Sequence, residues 1–278
     1  MVRKAGRRGN PILAPSDKAH LPTQADSRLL EKLVAVRREL ALPGYWTSLE
    51  ANCHQWAKDI TVSKFWAEAA ELLPTWSSDY RSLHGDALLA YQSLPPFVGK
   101  PAARCRDKLC QWLRNASQPA EALVPAKGPP IPRLNDLVRT RVSCKYLDGV
   151  QFLANRLVGL AKRHGLKHEW HRRGLLQGYF AQHVTIELPV IFRFAGAVEA
   201  APITCEIQLA TVLATRIWET SHSIYESARS HDDEPSQWQW DPDDPRFVSR
   251  QLGHVIHLAD GLLVQLRRSN SRPKKEKG

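Results

Sequence analysis

The 278 residues carry 39 Lys and Arg against 28 Asp and Glu, a net charge of +11, with 43 % hydrophobic and 24 % charged residues. That balance belongs to an ordinary globular chain able to bury a proper core, and it excludes disorder, collagen or coiled coil as a description of the whole. No apolar run approaches the roughly 18 residues of a membrane span, and Ile12-Leu13-Ala14 after the basic start is too short for a signal-peptide core, so a cytoplasmic location is expected. The five cysteines are odd in number and form no C-x-x-C pair, which points to reduced thiols rather than to disulfides or zinc.

Residues 1–25 are basic, rich in Pro, Ser and Asp, and aperiodic, as expected of a flexible leader. A helical region over 26–94 follows. Leu29, Leu30, Leu33, Val34 and Leu40 mark its first helix, with two more predicted around 48–73 and 77–93. Pro95-Pro96 ends that run, and the next helix is predicted from about Pro101 to Arg114. After a Pro-rich loop at 117–132, the stretch from Asn135 to Leu209 alternates like strands. One helix interrupts it, starting at Asp148 as N-cap, with Val150, Leu153, Ala154, Leu157 and Ala161 on one face. Leu213, Ile217 and Ile224 mark another helix, closing a core region over 95–230. An acidic loop at 231–244, a helix over 245–268 carrying Val248, Leu252, Val255, Ile256, Ala259, Leu263 and Leu266, and a basic tail at 269–278 complete the chain. The expected class is α+β, a mixed sheet of about five strands flanked by helices.

Parity separates the two faces of each strand. Over residues 137–146, Val138, Thr140, Val142, Cys144 and Tyr146 read as core, leaving Arg139, Arg141, Ser143 and Lys145 opposite. Over 179–188, Tyr179, His183, Thr185 and Glu187 oppose Phe180, Val184, Ile186 and Leu188. Over 203–209, Glu206 and Gln208 oppose Ile203, Cys205, Ile207 and Leu209. In one sheet, the polar sides would gather Arg139, Arg141, Tyr179, His183, Glu206 and Gln208 into a cleft lining; the bland alternative is three half-solvated faces meeting water.

Lys100, Arg104 and Lys108 recur every fourth residue, giving either a solvated ridge or a clamp for polyphosphate. Asp136 and Glu206 offer the hard oxygens that hold a nucleotide-bound Mg²⁺, although Asp136 alone reads equally as a turn residue. Lys162, Arg163, Lys167, Arg172 and Arg173, opposed only by Glu169, form a basic patch just before Tyr179, readable as exposed surface or as a phosphate track.

The run Asn135-Asp136-Leu137-Val138-Arg139-Thr140-Arg141, then Gly178-Tyr179-x-x-x-His183, then Glu206-Ile207-Gln208-x-x-Thr211 resembles the synthetase domain of RelA/SpoT-type alarmone synthetases over roughly residues 95–228. The resemblance implies a nucleotidyltransferase-like synthetase fold and transfer of the β,γ-pyrophosphate of ATP to a ribose 3′-hydroxyl. It implies Mg²⁺ on Asp136 and Glu206, and ATP phosphates held by Lys100, Arg104, Lys108 and Arg141. Glu206 and Asp136 would carry the catalysis. Tyr179 would stack on the acceptor base, supported by His183 and Gln208; apart from the resemblance, the charges of Arg139, Arg172 and Arg173 place them on the expected acceptor side.

The chain departs from most alarmone makers at Arg139, where they have glycine, and at Gln177-Gly178-Tyr179, where they have Asn-Gly-Tyr; Asp136-Leu137-Val138-Arg139, Tyr146-Leu147-Asp148-Gly149-Val150 and Gly178-Tyr179-Phe180-Ala181 look more like the toxic small alarmone synthetases. That implies the 3′ end of tRNA as acceptor, inhibition of translation and a cognate antitoxin. The alternatives are a small alarmone synthetase acting on GDP, GTP or adenine nucleotides, and a non-catalytic RNA-binding module. His231-Asp232 stands without partner motifs, so no hydrolase is expected. An oligomer is compatible with either enzyme reading.

Overall fold

The computed structural model describes residues 24–115, 118–174, 178–229 and 240–270. Expectations for the leader over 1–23, Gln177, His231-Asp232 with most of the acidic loop, and the tail beyond 270 lie outside them, as does the side chain of Ile224.

The chain opens with α1 (Gln24–Val36), a short 3₁₀ turn (Arg38–Ala41), α2 (Tyr45–Thr61) and α3 (Lys64–His84). The predicted break near residue 74 is absent, because Pro74 lies inside α3. The helix boundary falls instead at Ser63, whose hydroxyl accepts from the Trp66 amide as an N-cap. Residues 85–97, partly predicted as helix, are turns and extended chain leading to the two-residue strand β1 (Val98–Gly99). Helices α4 (Ala102–Arg114, N-cap Pro101) and α5 (Ala120–Leu123) then precede β2 (Val138–Cys144).

After β2 come α6 (Leu147–Arg163), β3 (His168–Arg173), β4 (Ala181–Phe194), β5 (Ala197–Thr211), α7 (Val212–Arg229) and α8 (Pro245–Asn270). The N-cap of α6 is Tyr146, not Asp148, whose carboxylate is committed to tertiary partners. The sheet runs β1-β2-β5-β4-β3, with β2 and β5 parallel and the other pairs antiparallel. It is thus mixed and five-stranded, as the pattern of elements predicts.

Strands β4 and β5 are longer than their predicted segments. They form one hairpin turned by Ala195 and Gly196, both at positive φ (49° and 82°), the backbone of a tight two-residue turn that matches strand twist. Its outer half is stapled to α2: Trp56 donates its indole N–H to the Ile191 carbonyl at 2.8 Å, and Asn52 bonds both the carbonyl and the amide of Arg193.

One sheet face is apolar, with Val138, Val142, Cys205, Ile207, Leu209, Val184 and Ile186 in register. It is covered by Leu153, Leu157 and Leu160 of α6 together with Trp56 of α2 in one continuous core. The residues from 26–94 therefore share a core with the sheet. Gly99 is held so close to α2 that a Cβ there would stand 2.6 Å from the Cys53 backbone, which fixes the strand leading into Lys100.

Candidate active site

Register assembles the opposite face. Arg139 is level with Glu206, and Arg141 with Gln208, across the parallel pair; His183 and Thr185 are level with Gln208 and Glu206 across β4–β5. Arg139, Arg141, His183, Glu206 and Gln208 thus share one side of three adjacent strands. Glu206, His183 and Gln208 are buried, a placement that burial theory tolerates only when every polar atom finds a partner.

Those partners are present. Gln208 donates its amide N–H to Glu206 Oε1 at 2.6 Å and accepts from the Arg141 guanidinium at 3.0 and 3.2 Å. His183 Nδ1 lies 3.0 Å from Glu206 Oε2, and its Nε2 is 3.4 Å from the Tyr179 hydroxyl. Because an ionised carboxylate only accepts, the proton of this contact sits on His183 Nδ1, which donates to Glu206. Burial pushes the Glu206 carboxyl up, but the His183 hydrogen bond and charge and the Gln208 bond outweigh it, leaving the group below its usual range. Burial also pushes the Tyr179 hydroxyl up to about 12, so it stays a donor at neutral pH, and burial lowers the Arg141 guanidinium from its ordinary value.

The second centre is Asp136, in the turn before β2. Lys100, just after β1, donates to Oδ2 at 2.6 Å, and Lys108 of α4 donates to Oδ1 at 2.8 Å. Desolvation of the buried carboxyl is overcome by these two ammonium groups, which hold it far below the ordinary range, while burial lowers Lys100 against the pull of Asp136. Lys100 lies outside the helix whose ridge it was predicted to join; Arg104, one turn before Lys108, has contacts of its own.

A wall of aromatic side chains closes one end. The Tyr179 ring sits 4.6 Å from Trp218 of α7, and Arg141 lies over that indole at 5.9 Å. The loop carrying Tyr179 is pressed on α8: Gly178 takes φ +65°, and a Cβ on Gly253 would approach its carbonyl oxygen to 1.9 Å. No side chain larger than hydrogen fits at either position. Neither Trp218 nor Gly253 stands in the predicted motifs; the run Tyr179 to His183 gave no sign of what would pack on it.

Strand β3 sorts the basic patch. His171 pairs with His183 and Arg173 with Ala181, on the cleft side, whereas Arg172 pairs with Gln182 on the α6 side. There Arg172 bonds Gln151 at 2.9 Å and lies over Trp170. Arg172 is therefore not brought together with the other predicted acceptor residues, and His171, missed in the sequence, is. Had 168–173 been read as a strand, parity alone would have divided the two arginines.

Among the described residues, no group of three or more His, Cys, Asp or Glu is arranged around a common metal position. Asp136 and Glu206 nevertheless fit Mg²⁺ chemically. Each of their four oxygens receives one donor, leaving a second lone pair, and the Asp136 charge acts on Glu206. Two carboxylates are the small protein share that Mg²⁺ takes when waters and phosphates complete its shell.

The molecule resembles solved structures in outline. The small alarmone synthetase 1 from Bacillus subtilis bound to its product pppGpp aligns over 78 % of this chain and 99 % of its own, at 15 % identity and a TM-score of 0.48. The small alarmone synthetase 2 from the same organism aligns over 74 % and 95 %, at 18 % identity and 0.44. A GTP pyrophosphokinase family protein from Streptococcus pneumoniae aligns over 73 % and 88 %, at 17 % and 0.41. No family model matches the chain, and no curated protein does.

Proposed function

We propose that this protein is a pyrophosphotransferase that moves the β,γ-pyrophosphate of ATP onto a ribose 3′-hydroxyl. The observation that carries the reading is Glu206, a buried carboxylate receiving donors from His183 and Gln208 beside Arg139 and Arg141, in the field of an Asp136 clasped by two lysines. Transfer of a phosphoryl-type group asks for positioning and charge neutralisation more than for a strong base, and this set offers both.

In the proposed reaction the 3′-oxygen attacks the β-phosphorus in line, the bond from the β-phosphorus to the α,β-bridging oxygen breaks, and AMP leaves. Lys100, Lys108, Arg104 and Arg141 grip the polyphosphate as charge moves toward the leaving oxygen. Glu206, held below the usual carboxylate range, is a weak base; it orients the hydroxyl and takes its proton late, as the new bond forms. His183 keeps the carboxylate aimed, and Tyr179 ties that imidazole to the acceptor wall. Mg²⁺ bound by Asp136 and Glu206 would neutralise phosphate charge.

For the acceptor the reading favours a guanine mononucleotide: the Tyr179 and Trp218 rings, 4.6 Å apart and tilted 47° to one another, offer aromatic surface for a base, and Arg139 a cation for 5′-phosphates. A second reading, the 3′ end of tRNA in a translation-inhibiting toxin with an antitoxin, draws on Arg173 and His171 at the open sheet edge. It loses Arg172, which faces α6.

Transfer of label from terminally radiolabelled ATP with Mg²⁺, offered GDP, GTP, AMP or deacylated tRNA separately, tests the proposal. Label on GDP or GTP is expected. Label on tRNA alone would shift the acceptor to the second reading. No label on any acceptor, with ATP still bound, would overturn the enzyme reading in favour of a binding module.

A further inference from the structure

Asp260 of α8 is 2 % exposed, and among the described residues the Thr211 hydroxyl, which donates to its Oδ2, is its one hydrogen-bond partner. Burial raises the Asp260 carboxyl, and only that bond opposes the rise. An acid buried on a single hydrogen bond is costly, and an apolar residue of similar shape would fill the place at lower cost. The bond, however, fixes a helix start. Thr211 ends β5 and caps α7, its Oγ1 accepting from the Ala214 amide at 3.1 Å. A hydroxyl has one proton. With that proton committed to Asp260, the Thr211 lone pairs turn to the helix; without it, the hydroxyl is at liberty to donate to a nearby carbonyl and abandon the cap. The Asp260 carboxylate also stands at the positive end of the α7 dipole.

Thr211, Thr215 and Trp218 follow one another at helical spacing. The Thr215 hydroxyl lies 3.1 Å from that of Ser143 in β2, and the Trp218 ring lies beside Tyr179. On α8, Gly253, His257 and Asp260 repeat the spacing: Gly253 meets the Gly178 carbonyl, His257 stacks on Phe180 at 3.8 Å, and Asp260 holds Thr211. One stripe of α8 thus supports both rings of the aromatic wall, Tyr179 through its two chain neighbours and Trp218 through the start of α7. The clasp of Lys100 and Lys108 on Asp136 is built by other segments, around β1, α4 and the turn before β2. We propose that Asp260 is a positioning residue for the acceptor: by fixing the Thr211 hydroxyl it sets the first turns of α7, and with them the angle at which Trp218 meets Tyr179. What the wall binds rests on the pyrophosphotransfer reading; the chain of contacts does not.

Asp260→Ala removes the bond. Asp260→Asn keeps an oxygen for Thr211, and its NH2 group has room in the cavity of about 260 Å³ that Asp260 lines with Phe180, Ala214 and His257. In initial-rate label transfer, Asp260→Ala should raise the acceptor KM about tenfold, the scale of one hydrogen bond to a charged group, and leave the ATP KM within about twofold of wild type. Asp260→Asn, with a neutral bond in place of a charged one, should bring the acceptor KM back to within about threefold. Hydrogen exchange without substrate should show amides 214–218 and 178–180 opening faster in Asp260→Ala, with β2 unchanged and Asp260→Asn like wild type. Should Asp260→Ala not fold, Asp260→Leu breaks the bond while filling its space. Equal rises in both KM values, or unchanged exchange in α7 of a folded variant, overturn the proposal. A wild-type chain that transfers label to no acceptor overturns the earlier reading instead, and exchange alone then decides whether Asp260 holds the wall.

Discussion

Replacing Arg267 by methionine tests whether α8 is anchored by charge. The guanidinium donates to Asp148 of α6 and, at 3.0 Å, to the Tyr80 hydroxyl of α3, and it lies 4.4 Å from the Tyr146 ring centroid. The Arg267 and Asp148 side chains are only 12 % and 15 % exposed. Removing one member of a fully buried pair costs about 3–5 kcal/mol, mostly because the survivor is left uncompensated. With that residual exposure, and with Tyr80 and His84 still beside Asp148, roughly 2–3 kcal/mol is expected here. At about 2–4 °C per kcal/mol for a chain near this size, the melt should fall by roughly 5–10 °C at pH 7. Acid adds a second signature. Burial pushes the Asp148 carboxyl up, but Tyr80 and Arg267 prevail and hold it low in the folded state. Its stabilising share is therefore present above the unfolded carboxyl pKa of about 3.9 and lost as pH falls through the folded value. In the variant the folded value rises, so the difference between the two proteins is largest near neutrality and shrinks in acid. A loss under about 0.5 kcal/mol, or one independent of pH, would refute the anchoring argument.

Glu206→Gln should keep the fold and lower transfer by about 10²–10⁴, read as label transfer per enzyme; undiminished turnover would remove Glu206 from the site. Tyr179→Ala should raise the acceptor KM more than the ATP KM in initial-rate kinetics, and equal changes would contradict the stacking wall. Gly253→Ala places a methyl on the Gly178 carbonyl and should cost about 1–3 kcal/mol in denaturant unfolding; a neutral result would mean that α8 and the loop part easily. Arg172→Ala should leave transfer to GDP unchanged while Arg139→Ala weakens it, measured side by side.

Parity made the cleft legible. The alternation of Arg139, Arg141, His183, Glu206 and Gln208 against apolar neighbours is a local property of each strand, so the right side chains were grouped before any register was known. Register itself was not legible: nothing local says that Arg139 lies level with Glu206, because β2 and β5 pair in parallel across an intervening helix and hairpin. The convergence of Lys100 and Lys108 on Asp136 was hidden for the same reason, since three separate segments supply them. Elsewhere local signals competed. The helix predicted over 48–73 runs across the boundary at Ser63, which supplies a cap, while Pro74, at the predicted break, is accommodated inside α3. The charges of β3 mask its alternation, so the sequence groups Arg172 with Arg173 in one basic patch that the strand divides between two faces.

The parallel pairing of β2 with β5 also orders events in time. The β4–β5 hairpin closes through a two-residue turn and is available within microseconds of chain collapse. Arg141 and Gln208 are 67 residues apart, so the β2–β5 seam must wait for a far costlier loop closure. A nascent chain thus presents Glu206 and His183 on a finished hairpin before the guanidiniums of β2 arrive. Under the proposed function, affinity for nucleotide should then appear only once β2 has docked beside the hairpin.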